Sequence, residues 1–385
     1  MKTRFLKNVL ILCLLACTAC VEEYWPDLGK YENVLVVDGM ITNEPGPYTI
    51  RLATSTQISN TENFPFPNAE IVIFDDIGNS ETLTEINPGE YCTASDGIQG
   101  IVGRKYKIHI KTPGNKTYSS DFEEIIPCIE IDTVYSNVEY RQYISVPYDL
   151  VGLQFYLNTK RATKEKNYFL WKLESTYEYN SSFLITHIYN NFNMKPFYNC
   201  DSLFTCWKTE DLGEMYIAST VDLSEPQIIG FPLNYVSTED RQLSVKYSLL
   251  IKQLTITEKI YDFWHNIDEL NADQGALFSS LPYQIRGNIY CENDSEEPIL
   301  GYFMATSISQ KRIFVERPIL DFNYYQCILS AADFDRIKYI RLVDQRTWPI
   351  YVTSSTTGIK AHPHQDCIDC TRKGGTLNMP EFWID

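Results

Sequence analysis

The sequence predicts a mainly β protein: a small N-terminal β-sandwich followed by a larger β-rich domain that contains one amphipathic helix. Three observations carry that expectation. The chain holds 27 Tyr, 19 Phe and 6 Trp, residue types that fit the pleated, half-buried surface of a sheet. Apolar and polar residues alternate with a period of two over many short stretches, most clearly where Tyr106, Ile108 and Ile110 interleave with Lys105, Lys107, His109 and Lys111. A helical period is confined to one run, in which Ile256, Ile260, Phe263, Trp264, Ile267 and Leu270 form a single stripe. At 385 residues the chain is too long for one ordinary core, and it divides into a sandwich at 33–127 and a β-rich domain at 128–385.

The first stretch precedes the fold. Lys2, Arg4 and Lys7 come before a short apolar run from Val9 to Ala16, and small residues lead into cysteine. Such a run falls short of the ~20 residues a membrane-spanning helix needs, so residues 1–19 read as a cleaved lipoprotein signal. Two cysteines compete for the lipid. Cys17 follows Leu14, Leu15 and Ala16, the better match by residue type, whereas lipidation of Cys20 leaves an even number of further cysteines that could all pair. Parity favours Cys20, with Cys17 the alternative. Residues 20–32, with Pro26 and Gly29, form a tether. Glu22 and Glu23, directly behind Cys20, resemble the surface-export signal of Bacteroidota lipoproteins, and a solvated tether start explains them equally well. The expected location is the outer membrane, lipid-anchored, at the cell surface, with the periplasmic face as the alternative.

From Asn33 to about Ile126, short strands alternate with turns. Val34 to Ile41 is an apolar run, Glu44 to Pro47 a turn, and Tyr48, Ile50 and Leu52 a one-faced strand. Ala69 to Phe74, Tyr106 to Ile110 and Thr117 to Ile125 follow, separated by turns at Asp75, Asp76, Gly78 and Asn79, at Asn87, Pro88 and Gly89, and at Pro113, Gly114 and Asn115. Strands at this spacing imply a sandwich. Their order resembles the Ig-like, prealbumin-like sandwich of carboxypeptidase regulatory-type domains.

Pro127 and Cys128 mark the expected boundary. Strands continue at Thr133–Tyr140, Gly152–Leu157 and Tyr168–Tyr177, with a charged turn at Lys160–Lys166. The polar and aromatic stretch Asn180–Lys208, which contains Cys200 and Cys206, reads as a long excursion and is the first candidate for a recognition surface. Leu243 to Ile251 alternates as a strand, and the helical stripe follows, with Thr255 and Glu258 spaced as a capping box. Packing against the sheet is the expected role of that stripe. Strands resume at Ile285–Glu292, Ile299–Ser307, Arg312–Glu316, Ile337–Val343 and Ile350–Thr353.

Charge excludes one class of partner. Removing three basic residues with the signal takes the formal charge from −17 to −20, which repels phosphate backbones and argues against nucleic acid. No Gly-x-Ser-x-Gly elbow or His-Glu-x-x-His helix occurs, and the five histidines, His109, His187, His265, His362 and His364, leave little for a triad. No catalytic, cofactor-binding or metal-binding residues are assigned, and the chain is expected not to be an enzyme.

The densest chemistry is at the end: His362, His364, Cys367 and Cys370, then Gly374, Gly375, Pro380, Phe382 and Trp383. A zinc site, a redox dithiol and structural disulfides compete there, and an oxidising compartment favours disulfides. Short spacing makes Cys200 with Cys206 and Cys367 with Cys370 the local candidates. The run Cys367-Ile368-Asp369-Cys370, Gly374-Gly375 and Pro380-Glu381-Phe382-Trp383 is similar to the terminal signature of a family of uncharacterised Bacteroidota outer-membrane lipoproteins. Val36-Val37-Asp38-Gly39-Met40-Ile41-Thr42, Cys206-Trp207 and Leu300-Gly301-Tyr302-Phe303 with Ala305 carry the same resemblance. That family is a domain of unknown function commonly encoded beside TonB-dependent receptors. The resemblance implies a non-enzymatic accessory or ligand-binding partner of such a β-barrel transporter; a surface hydrolase acting on glycan or peptide and a structural envelope protein are the alternatives.

Overall fold

The computed structural model describes residues 34–55, 64–142, 147–273 and 285–383. It is mainly β, as its sequence predicts. One strand organises it. Ile299–Glu316 runs for 18 residues; its first part lies parallel to Leu35–Thr42, from Leu35 opposite Ile299 to Thr42 opposite Thr306. Its second part lies antiparallel to Lys246–Ile256, from Thr255 opposite Ser307 to Lys246 opposite Glu316. A single sheet therefore runs from Thr205–Ser219 through Tyr168–Asn180, Lys246–Ile256 and Ile299–Glu316 into Leu35–Thr42, Thr49–Thr54, Glu90–Cys92 and Thr84–Asn87.

The sandwich forms where a second sheet covers the N-terminal end of this one. That sheet has the order Ile289–Cys291, Thr117–Ser120, Lys105–Lys111, Glu70–Asp75, Ser80–Thr82. Alternation builds its core: Val37, Ile50 and Leu52 from one sheet meet Ile71, Ile73, Ile108 and Ile110 from the other, all buried. Phe303, Ala305 and Ile289 join them. The expected boundary at 127/128 is thus a change of sheet and not a limit of the sandwich, which takes its closing strands from residues near 289 and 299. Gly301 makes the parallel pairing possible. It has a positive φ of 97°, and a Cβ there would stand 1.9 Å from the Val37 carbonyl oxygen; only glycine fits such an approach.

Beyond the sandwich the long strands are covered on both faces. On one, the sheet Ile131–Arg141, Leu150–Thr159, Phe231–Ser237 packs Phe155 and Leu157 against Phe169, Trp171 and Leu249; the Trp171 indole N–H donates to Gln253 Oε1 at 2.9 Å. On the other lies the helix Glu258–Asp273, with Ile260 and Phe263 against Leu170, Leu254 and Met304. Its start corrects the expected capping box. Thr255 and Ile256 end the preceding strand, so Thr255 stands outside the helix start at Glu258, and its hydroxyl accepts the Ile129 N–H at 3.1 Å. A second correction concerns 337–343, predicted as a strand. It is a 3-10 helix, Ile337–Leu342, in which Ile337 and Ile340, three apart, both pack on one small core.

Where sandwich, long strand and helix meet, Glu123 is buried. It accepts from the Tyr302 hydroxyl at 2.7 Å and from Asn288 Nδ2 at 3.4 Å. Asn288 also bridges the Phe303 backbone, donating to its carbonyl at 2.8 Å and accepting its N–H at 2.9 Å. Burial raises the Glu123 carboxyl above its ordinary range, against the lowering effect of these hydrogen bonds.

Candidate interaction surface

The excursion at 180–208 and the chain after residue 316 fold together into a small separate unit. Its sheet has the order Asn193–Pro196, His187–Asn190, Ile350–Ser354, Lys360–Ala361. Its core is slight: Tyr189, Ile340, Ile350 and Val352 are buried, with the Tyr189 ring edge-on to Trp348 at 5.5 Å.

Cysteine chemistry makes up for that. Cys206 is bonded to Cys370 and Cys327 to Cys367, with a Cα separation of 5.8 Å in each. The local pairings expected from spacing are therefore not formed. Cys206 lies in the strand Thr205–Ser219 and is fully buried on its core face, while Cys200 precedes the turn and its thiol donates to the Phe197 carbonyl at 3.2 Å. Cys367 ends one 3-10 turn and Cys370 begins the next, so each meets a different passage of chain. With both sulfurs bonded to distant partners, neither zinc nor a redox dithiol fits Cys367 and Cys370. The full pairing that an even count allowed is not formed: Cys92, Cys128, Cys200 and Cys291 are free thiols. Cys327 carried no signal, because a bridge across 40 or 164 positions leaves no local spacing to read. Cys17 and Cys20 lie outside the described residues.

The terminal signature is structural. The Tyr179 hydroxyl donates to the Cys370 carbonyl at 2.7 Å, and a Cβ on Gly375 would stand 2.3 Å from that same hydroxyl. Trp207 and Thr376 exchange backbone hydrogen bonds at 2.9 and 2.8 Å. The Phe382 ring lies 3.6 Å from the Arg312 guanidinium, and the buried Trp383 is edge-on to Phe314 at 5.5 Å. Phe382 and Trp383 are thereby clamped onto the far end of the long strand.

Charged side chains of this region are engaged locally. Asp333 accepts from the Ser330 N–H and hydroxyl and pairs with Arg336, which together hold its carboxyl below the usual range against burial. Burial pushes the nearby His362 down, towards the neutral form. His364 faces Asp366 at 3.2 Å. Of the other histidines, His109 lies 3.7 Å from Glu292 and His265 lies 3.4 Å from Glu269, while His187 contacts the Thr186 hydroxyl. Among the described residues, no group of three His, Cys, Asp or Glu side chains is placed to hold a metal ion.

Among exposed charged residues such as Lys338, Arg341 and Arg346, the unit also offers large apolar side chains to solvent. Tyr198, Tyr325, Ile328 and Leu342 are each more than 80 % exposed, and Phe192 and Tyr339 more than half exposed. Scattered apolar residues on a surface are ordinary. Here they sit on one cross-linked unit that holds them without covering them.

A family profile matches residues 21–312 of the chain. The chain belongs to the family described as a domain of unknown function, DUF4249. The matched span takes in the sandwich and most of the long strand, and ends inside Ile299–Glu316. The stapled unit draws its first half from within that span and its second half from beyond it. A comparison with curated proteins found no match.

Proposed function

We propose that this DUF4249 chain is a lipid-anchored outer-membrane protein that works without catalysis, as an accessory or ligand-binding partner of a TonB-dependent β-barrel transporter. The observation that carries the docking part is the stapled unit, on which Tyr198, Tyr325, Ile328 and Leu342 stand in water. Covering such groups in a partner recovers burial energy of roughly 1.5–3 kcal/mol for each large apolar side chain. The signal and tether support the anchor, and the net charge disfavours nucleic acid. The resemblance of the quoted motifs supports the choice of transporter.

Mild-detergent extraction of the tagged chain from native membranes, followed by mass spectrometry of what accompanies it, tests this reading. A stoichiometric TonB-dependent receptor is expected. Recovery of the chain alone, after crosslinking as well, moves the weight to the alternatives, a surface hydrolase for glycan or peptide or a structural envelope protein. Turnover of a glycan or peptide by the purified chain, abolished by one carboxylate substitution that leaves it folded, would establish the hydrolase.

A further inference from the structure

The seam between the sandwich and the rest of the molecule holds a cavity of about 570 Å³, a size suited to a small organic ligand. Its apolar lining comes from Ile126, Ile129 and Ile256 with Tyr168. Its cations come from the turn between Leu150–Thr159 and Tyr168–Asn180: Lys160, Arg161, Lys164 and Lys166. Lys160 is paired with Glu130 and Arg161 with Glu225, whereas Lys164 and Lys166 have no ion-pair partner among the described residues. The lining holds four cations against two carboxylates, Glu130 and Glu258, in a chain whose acids outnumber its bases by 50 to 33. The Glu258 carboxylate is itself engaged by the Tyr168 hydroxyl at 2.8 Å. A local excess of positive charge against the composition favours an anion.

The turn is held from beneath. The buried Thr220 hydroxyl donates to the Glu165 carbonyl at 2.7 Å and accepts the Asn167 N–H at 3.0 Å. The buried Asn167 Nδ2 donates to the Lys164 carbonyl at 2.7 Å, and the Ala162 N–H donates to the Pro226 carbonyl at 2.9 Å. The backbone carrying the two uncompensated lysines is thus ordered before any ligand arrives, which lowers the entropy lost on binding.

We propose that this cavity binds a small organic anion with an apolar body, its anionic group met by Lys164 and Lys166 and its hydrocarbon by Ile126 and Ile129. The proposal is independent of the docking reading, since it uses no residue of the stapled unit. The test is calorimetric titration of the full chain with naphthalene-2-sulfonate, beside the neutral 2-naphthylmethanol. One saturable site is expected for the anion, with affinity about tenfold lower in Lys164→Glu/Lys166→Glu; both lysines are exposed, so that variant keeps its fold. Cys128 also lines the cavity, and burial raises its thiol, so alkylation by N-ethylmaleimide is followed at pH 9 on its peptide. The anion should slow alkylation at Cys128 and leave Cys200 unaffected. Heat that does not saturate, equal affinity for the charge-reversed variant or the neutral probe, or equal effects at Cys128 and Cys200, would each overturn the proposal.

Discussion

The sandwich's core cluster holds twenty buried side chains from two sheets, whereas the cluster at the centre of the stapled unit holds four. The sandwich leaves Cys92 and Cys291 as free thiols; the unit relies on Cys327–Cys367 and on the Cys206–Cys370 bridge that ties it to the long strands. Ordering a backbone costs about 1–2 kcal/mol per residue, and the unit's smaller core offsets less of that than the sandwich's does. The sandwich holds together with Cys92 and Cys291 unpaired; in the unit, where Cys200 is also free, two bridges limit the unfolded chain as well.

The sharpest way to break this contrast is at the joint. Gly301→Val should cost more than about 3 kcal/mol, because the residue must both adopt a positive φ and clear the Val37 carbonyl. Thermal unfolding is expected to show loss of the whole fold, and a Tm unchanged from wild type would contradict the parallel pairing. Cys206→Ser/Cys370→Ser should cost roughly 2–5 kcal/mol. Its effect should be local: hydrogen exchange rises across 181–204 and 317–383 while Ile71, Ile108 and Ile110 stay protected. A uniform rise would mean that the two regions unfold as one.

A smaller effect is expected at Glu123. Its carboxyl is raised in the fold, so the folded state binds more protons than the unfolded state between the two pKa values. Its contribution is therefore fully present below the unfolded value and is lost as pH rises through the folded one. Glu123→Gln should flatten that part of the stability–pH profile, read from urea midpoints across pH 4 to 8; an unchanged slope would assign it to other groups. The smallest effect on stability belongs to Ile328→Ser/Leu342→Ser, within about 0.5 kcal/mol, since both side chains are already exposed. Recovery of a β-barrel partner with this variant should nevertheless fall, and undiminished recovery would move the docking surface elsewhere.

What could be read from the sequence was local. The alternation at Tyr106, Ile108 and Ile110 names its own buried face, and the helical stripe found Ile260 and Phe263 because side-chain direction follows backbone period. Pairings between distant segments were not legible. Nothing near Val37 announces Gly301, although Gly301 itself lay in a quoted motif, and nothing near Cys206 announces Cys370. Short apolar runs were ambiguous as well: Ile337 to Val343 suits a strand by composition and becomes a 3-10 helix, with Ile337, Ile340 and Val343, three apart, facing one core. The charged turn at Lys160–Lys166 was visible, but its cavity was not, since the walls come from three separate passages of chain.

The parallel register of Leu35 with Ile299 also sets a schedule. A chain emerging from its N-terminus presents Leu35–Thr42 early, yet the strand that flanks it on one side is among the last to appear. Until then Leu35–Thr42 can gain only its neighbour Thr49–Thr54 and keeps an open, apolar edge of the kind that recruits other chains. Closure over so long a contour is slow. Nascent intermediates of this protein should therefore need shielding at their first strand, and a circular permutant that places 299–316 directly before 35–42 should fold faster than the natural order.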